Sequence, residues 1–158
     1  MNKLSVLIGL FIVILVAAAV LILLPANKAN APVIGDGDIG LPAQADNAIE
    51  KQDLIRATTP QPGSQITSPL TVSGEARGTW YFEASFPVEI QDAQGNVIGQ
   101  GYAQAQGEWM TTDFVAFQSI PITFTAEPAG SAGTLVLKKD NPSGLPENDD
   151  QLLIPVVF

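Results

Sequence analysis

The sequence predicts an all-β fold: an antiparallel sandwich of about seven short strands, preceded by one N-terminal transmembrane helix and a flexible linker. Three observations predict it. From Trp80 to Gln91 the side chains alternate, with Trp80, Phe82, Ala84, Phe86, Val88 and Ile90 on one face and Tyr81, Glu83, Ser85, Pro87, Glu89 and Gln91 on the other. A period of two with aromatic and β-branched residues is the pattern of a half-buried strand. Turn residues recur at regular intervals from Pro60 onward, and Leu4 to Leu24 is one apolar run without a charged residue.

Met1-Asn2-Lys3 is a short positive start before that run. About 20 residues of helix cross a bilayer core of about 30 Å, whereas the apolar part of a cleaved signal is only about 7–15 residues. Residues 4–24 therefore read as a retained anchor. The competing cleavage site, Ala29-Asn30-Ala31, lies well past the end of the run and would leave Pro32 at the new terminus. Lys3 before the run and Lys28 alone soon after it favour the N-terminus inside and the rest of the chain outside the cytoplasm. The expected location is thus a single-pass membrane protein.

Residues 25–53 read as a flexible linker, rich in Pro, Ala, Gly, Asn and Asp and without a sustained apolar period. Ala48 to Arg56 fits either a short helical turn or the lead into a first strand. Residues 54–158 form the β-domain. Its first strand lies around Leu54 to Thr58, before the turn at Pro60, Pro62 and Gly63. Leu70 to Arg77 gives a second strand, and Trp80 to Gln91 a long central one. Asp92 to Asn96 is a hairpin loop, and Val97 to Ala103 returns beside it. Gly107 to Asp113 is a connection carrying Trp109, and Phe114 to Phe117 is a short apolar piece. Ile120 to Ala126 alternates, but Pro121 lacks a donor and marks a strand start or an edge. Thr134 to Lys139 and Leu152 to Phe158 complete the set around a polar loop from Asp140 to Asp150. Short strands with turns between them in this rhythm predict a sandwich of immunoglobulin-like type.

Composition excludes several functions. The net charge is −9 with no histidine and no cysteine. Nucleic-acid binders need clustered Lys and Arg, and anionic lipid would repel this surface. Without cysteine there is no disulfide, thiolate metal site or cysteine nucleophile. Without histidine the usual general base is missing.

Gly74-Glu75-Ala76-Arg77-Gly78-Thr79-Trp80-Tyr81-Phe82-Glu83 resembles the central motif of the immunoglobulin-like domain of bacterial spore germination, a domain that often accompanies the GerMN module. Ser68-Pro69-Leu70, Gly107-Glu108-Trp109-Met110-Thr111, Asp113-Phe114-Val115 and Asp140-Asn141-Pro142-Ser143-Gly144 are similar to its other motifs, in order. The resemblance implies an immunoglobulin-like sandwich on bacterial envelope proteins, without enzymatic activity. No GerMN module lies between the apolar run and the β-domain.

Few residues stand out as candidates for chemistry. Arg77, Tyr81, Glu83 and Trp109 are the candidate binding residues. Arg77 and Glu83 make either a recognition site or an ion pair that fixes strand register. Trp109 and Trp80 offer rings for stacking on a sugar, although Trp80 shares its face with Phe82 and Phe86 and reads as core. The acidic loop Asp140 to Asp150 lacks calcium-loop spacing and reads as a solvated turn, so no metal is expected. Glu108 and Asp113 would need a cleft to act as a hydrolytic pair, and short loops leave little room for one. No catalytic residue and no cofactor are expected. The expected function is binding of another envelope protein or a cell-wall glycan. The alternative is a structural spacer without a ligand.

Overall fold

The computed structural model describes residues 42–158. The expected anchor, residues 4–24, and most of the expected linker lie outside the described residues. Among the described residues, no helix is long and apolar enough to cross a membrane.

The elements run α1 (Pro42–Lys51), β1 (Ile55–Thr59), β2 (Ser73–Arg77), β3 (Ser85–Gln91), β4 (Val97–Ala105), β5 (Phe114–Ser119), β6 (Ala132–Lys138) and β7 (Gln151–Val157). The seven strands form one hydrogen-bonded sheet in the order β1-β2-β5-β4-β3-β6-β7, with every pairing antiparallel. This is the all-β, immunoglobulin-like architecture that the strand pattern predicts. Strand β4 links the two sides of this order. It pairs with β3 along its length, but its last residues also pair with β5, from Ala103 opposite Ser119 to Ala105 opposite Phe117.

Alternation fills the core. Phe86, Val88 and Ile90 of β3 point inward, as do Leu152, Ile154 and Val156 of β7. Phe86 meets Phe117 of β5 edge-on across the core, with ring centroids 5.0 Å apart. Burying such side chains contributes about 1.5–3 kcal/mol each, which is what holds a chain with no disulfide.

Three expectations need correction. First, the central strand begins at Ser85, not Trp80. Gly78 to Trp80 is a 3-10 turn, and Phe82 and Ser85 exchange backbone hydrogen bonds of 3.0 and 3.1 Å around Glu83 and Ala84. Both central residues have positive φ, 49° and 61°, as a type I′ turn requires. That reversal breaks the alternation, so Trp80 and Tyr81 are both buried while Phe82 is exposed. Second, Ile120 to Ala126 forms no strand. Ile122 and Phe124 are buried, but they are held by isolated bridges to Leu70 and Gly99, because Pro121 interrupts any ladder.

Third, the end of the expected linker is α1. Pro42 suits a first helical position. Gln44, Asn47, Ala48 and Lys51 recur at helical spacing and face the domain. Gln44 donates to the Thr134 hydroxyl (2.9 Å), and Lys51 pairs with Asp150 (2.8 Å). Ala48 packs against the core. The Asn47 amide accepts from Leu153 N–H (2.8 Å) and donates to Gln151 C=O (3.2 Å). It thereby occupies the outer edge of β7 as a neighbouring peptide would. Farther along that edge, Gly63 N–H reaches Pro155 C=O and Ile66 N–H reaches Val157 C=O, each at 2.8 Å. Pro155 has no donor to leave unpaired. The open edge of β7, a liability in any sheet, is thus largely covered by its own chain.

Candidate functional site

Strand register places one set of loops at one end of the domain. Arg77, which ends β2, pairs with Phe114, which begins β5. Ser85, which begins β3, pairs with Gln104 near the end of β4, and Lys138 pairs with Gln151. Residues 52–54, 78–84, 106–113 and 139–150 therefore emerge together. All the predicted binding residues lie here, but in different roles.

Arg77 locks the loops to each other. Its Nε donates to Asp53 C=O (3.0 Å) and its Nη1 to Thr112 C=O (3.1 Å), while the guanidinium lies 4.1 Å from the centre of the Phe114 ring. It does not fold back to pair with Glu83. A planar donor fork over an aromatic face is what arginine supplies and lysine does not. Gly78 has no room for a side chain, since a Cβ there would collide with the carbonyls of Trp109 and Thr111. Asp140 N–H donates to Trp80 C=O (3.0 Å) and ties in the 139–150 loop.

Tyr81 is buried, its hydroxyl donating to Val115 C=O (2.8 Å). Burial, reinforced by the charge of Glu75, pushes its pKa up to about 12. It supports the loop from beneath. Trp80 is also buried, and its indole N–H has no acceptor among the described residues. Trp109 is half-buried and packs against the core. Glu83 is exposed at the tip of the type I′ turn.

Sequence reasoning missed the apolar side chains at the loop tips. Leu54, Phe82, Met110 and Leu145 are exposed, Met110 by 74%, and each comes from a different loop. The alternation puts Phe82 on a buried strand face, and no periodicity marks the other three. A signal was present: a large apolar residue between polar neighbours in a turn segment has no strand or helix face to join.

The acidic loop is bonded within itself. The Asn141 amide donates to Leu145 C=O (2.8 Å) and to the Asp149 carboxylate (2.7 Å), and its oxygen accepts from Ser143. Asp150 is held by Lys51, and that carboxylate raises the lysine pKa, with Glu50 adding to it. Among the described residues, no group of three acidic side chains could hold a metal ion. Glu108 accepts from Met110 N–H (3.1 Å), and both Glu108 and Asp113 are exposed. At the opposite end a groove of about 760 Å³ runs between the Asp92–Gly95 turn, Gln44 and Pro155. Its one acid among the described residues, Asp92, is already bonded to Gln94 N–H, Asn96 N–H and the Asn96 side chain.

Residues 54–144 match the family model for the immunoglobulin-like domain of bacterial spore germination. The chain belongs to this family. No curated protein and no solved structure matches it. The matched span of the germination-type domain contains the Arg77 lock, the type I′ turn and the tips at Leu54, Phe82 and Met110. Leu145, α1 and β7 lie beyond it. Immunoglobulin-like domains are generally non-catalytic.

Proposed function

We propose that this chain is a membrane-anchored, extracytoplasmic recognition module without enzymatic activity, which uses the loop end of its immunoglobulin-like domain to bind an envelope protein or a cell-wall glycan. One observation carries the reading: apolar side chains from separate loops are exposed at one end, over a scaffold that fixes those loops. Exposed apolar clusters with polar surroundings mark interaction surfaces. A spacer gains nothing from apolar tips presented by four loops of one end. The apolar run at residues 4–24 supports the anchor, and the charge around it supports the orientation.

Sedimentation with washed envelopes tests the binding claim. Residues 42–158 should co-sediment, and the Phe82→Ser/Met110→Ser variant should lose most of that retention. No retention of the unaltered domain supports the spacer reading. In parallel, protease added to spheroplasts should remove the domain from the full chain. A domain that resists until the membrane is broken contradicts the orientation.

A further inference from the structure

The partner's chemistry can be narrowed, given the reading that the loop end is the recognition surface. We infer that it docks onto a protein whose contact surface is apolar at its centre and cationic at its rim. The tips at Leu54, Phe82, Met110 and Leu145 supply apolar contacts from four loops of one end. Around them the same loops carry exposed Asp53, Glu83, Glu108, Asp113, Glu147 and Asp149. The cations at this end are largely engaged: Lys51 with Asp150, Arg56 with Glu75, Lys138 with Glu89, and Arg77 with the Asp53 and Thr112 carbonyls. The opposite loops, residues 60–72, 92–96 and 120–131, carry only Asp92 and Glu127. The excess of exposed carboxylates thus lies in the loops of this end and not in the opposite ones.

This arrangement selects against the other envelope components. Anionic lipid and anionic wall polymers meet a rim of their own sign. A neutral glycan needs flat rings to stack on, and the tryptophans supply little: Trp80 is buried and Trp109 packs half-buried against the core, which leaves Phe82 as the exposed ring among the tips. Leu and Met at the tips present no stacking face. They do fit an apolar pocket on a protein, where the unbranched Met side chain adapts to its surroundings. The loops are already fixed by Arg77 and Gly78, so less ordering entropy is lost on docking. Opposite charges at the rim steer the encounter and are screened by salt.

A photo-crosslinking experiment in the full-length chain, in its own envelope, tests this. A diazirine amino acid replaces Met110, with the same probe at exposed Val97 of β4, at the other end, as control. The expected product is a polypeptide adduct from position 110 and little from position 97. Its yield should fall about tenfold in the Glu83→Lys/Glu147→Lys variant and also at high salt, while Asp46→Lys on exposed α1 leaves it unchanged. An adduct to glycan or lipid at position 110 overturns the protein partner but keeps the loop end as the recognition surface. A polypeptide adduct indifferent to charge reversal and salt overturns the cationic rim. Equal adducts from both positions, or none from either, overturn the loop-end reading itself.

Discussion

Replacing Arg77 should destabilise the domain more than any other exposed or half-exposed substitution. In Arg77→Ala two hydrogen bonds from a charged donor are lost, to Asp53 and Thr112 carbonyls at 3.0 and 3.1 Å. Bonds to charged groups contribute about 1.5–3 kcal/mol each when well buried. Both acceptor residues are exposed, so water replaces part of the loss, and about 1 kcal/mol per bond is the better figure. The guanidinium over Phe114 adds about 0.5–1 kcal/mol. The total is about 2–3 kcal/mol. With a urea slope of about 1–3 kcal/mol per M, the midpoint should fall by about 1 M at an unchanged slope. Arg77→Lys keeps the charge but not the fork and should recover less than half. Arg56 is the internal comparison. It lies 4.2 Å from the same ring and pairs with Glu75 at 3.1 Å, but its side chain is 50% exposed. Arg56→Ala should therefore cost only about 1 kcal/mol. Urea unfolding of residues 42–158, followed by tryptophan fluorescence, reads all three. If Arg77→Ala moves the midpoint no more than Arg56→Ala does, Arg77 is not the lock described here.

Other outcomes follow from single contacts. Tyr81 has a folded-state pKa of about 12 against an unfolded value of 10.0, so its contribution to stability is complete below pH 10 and is lost as pH rises toward 12. Stability measured across that range should fall, and Tyr81→Phe should flatten the fall; an equal slope in the variant refutes it. Glu83 and Ala84 hold a conformation that costs non-glycine residues roughly 1–2 kcal/mol each. Glu83→Asn/Ala84→Gly should raise thermal stability by about 1–2 kcal/mol, and a loss would mean that the turn is not strained. Asn47→Ala removes both bonds to the β7 edge, so the Leu153 amide should exchange with deuterium much faster while Ile154, facing β6, changes little.

What the sequence shows and hides has physical reasons. Strands β3 and β7 are legible because one face of each is buried, which writes hydrophobicity into every second position, while β6 is legible as the short apolar run Leu135-Val136-Leu137, buried on both faces. The turn at Glu83-Ala84 is hidden because it contains no glycine or asparagine, and the alternation runs through it unbroken. Helix α1 is hidden for a different reason. It docks through Gln44, Asn47 and Lys51, so its contact stripe is polar, and a search for apolar periodicity passes over it. Arg77 is visible as a lone cation in a strand motif. Its partners are backbone carbonyls far along the chain, and these leave no mark in sequence. The same holds for the loop tips, since which loops share an end depends on strand order.

Hydroxyl-radical footprinting of the full-length chain tests the central claim most directly, comparing native envelopes with detergent extract. If the loop end is the recognition surface, Phe82, Met110 and Leu145 become protected from oxidation in the envelope. Val97 and Ile49, exposed by 49% and 65%, should react equally in both. Protection at Val97 with Met110 still open, or no protection anywhere, contradicts the account.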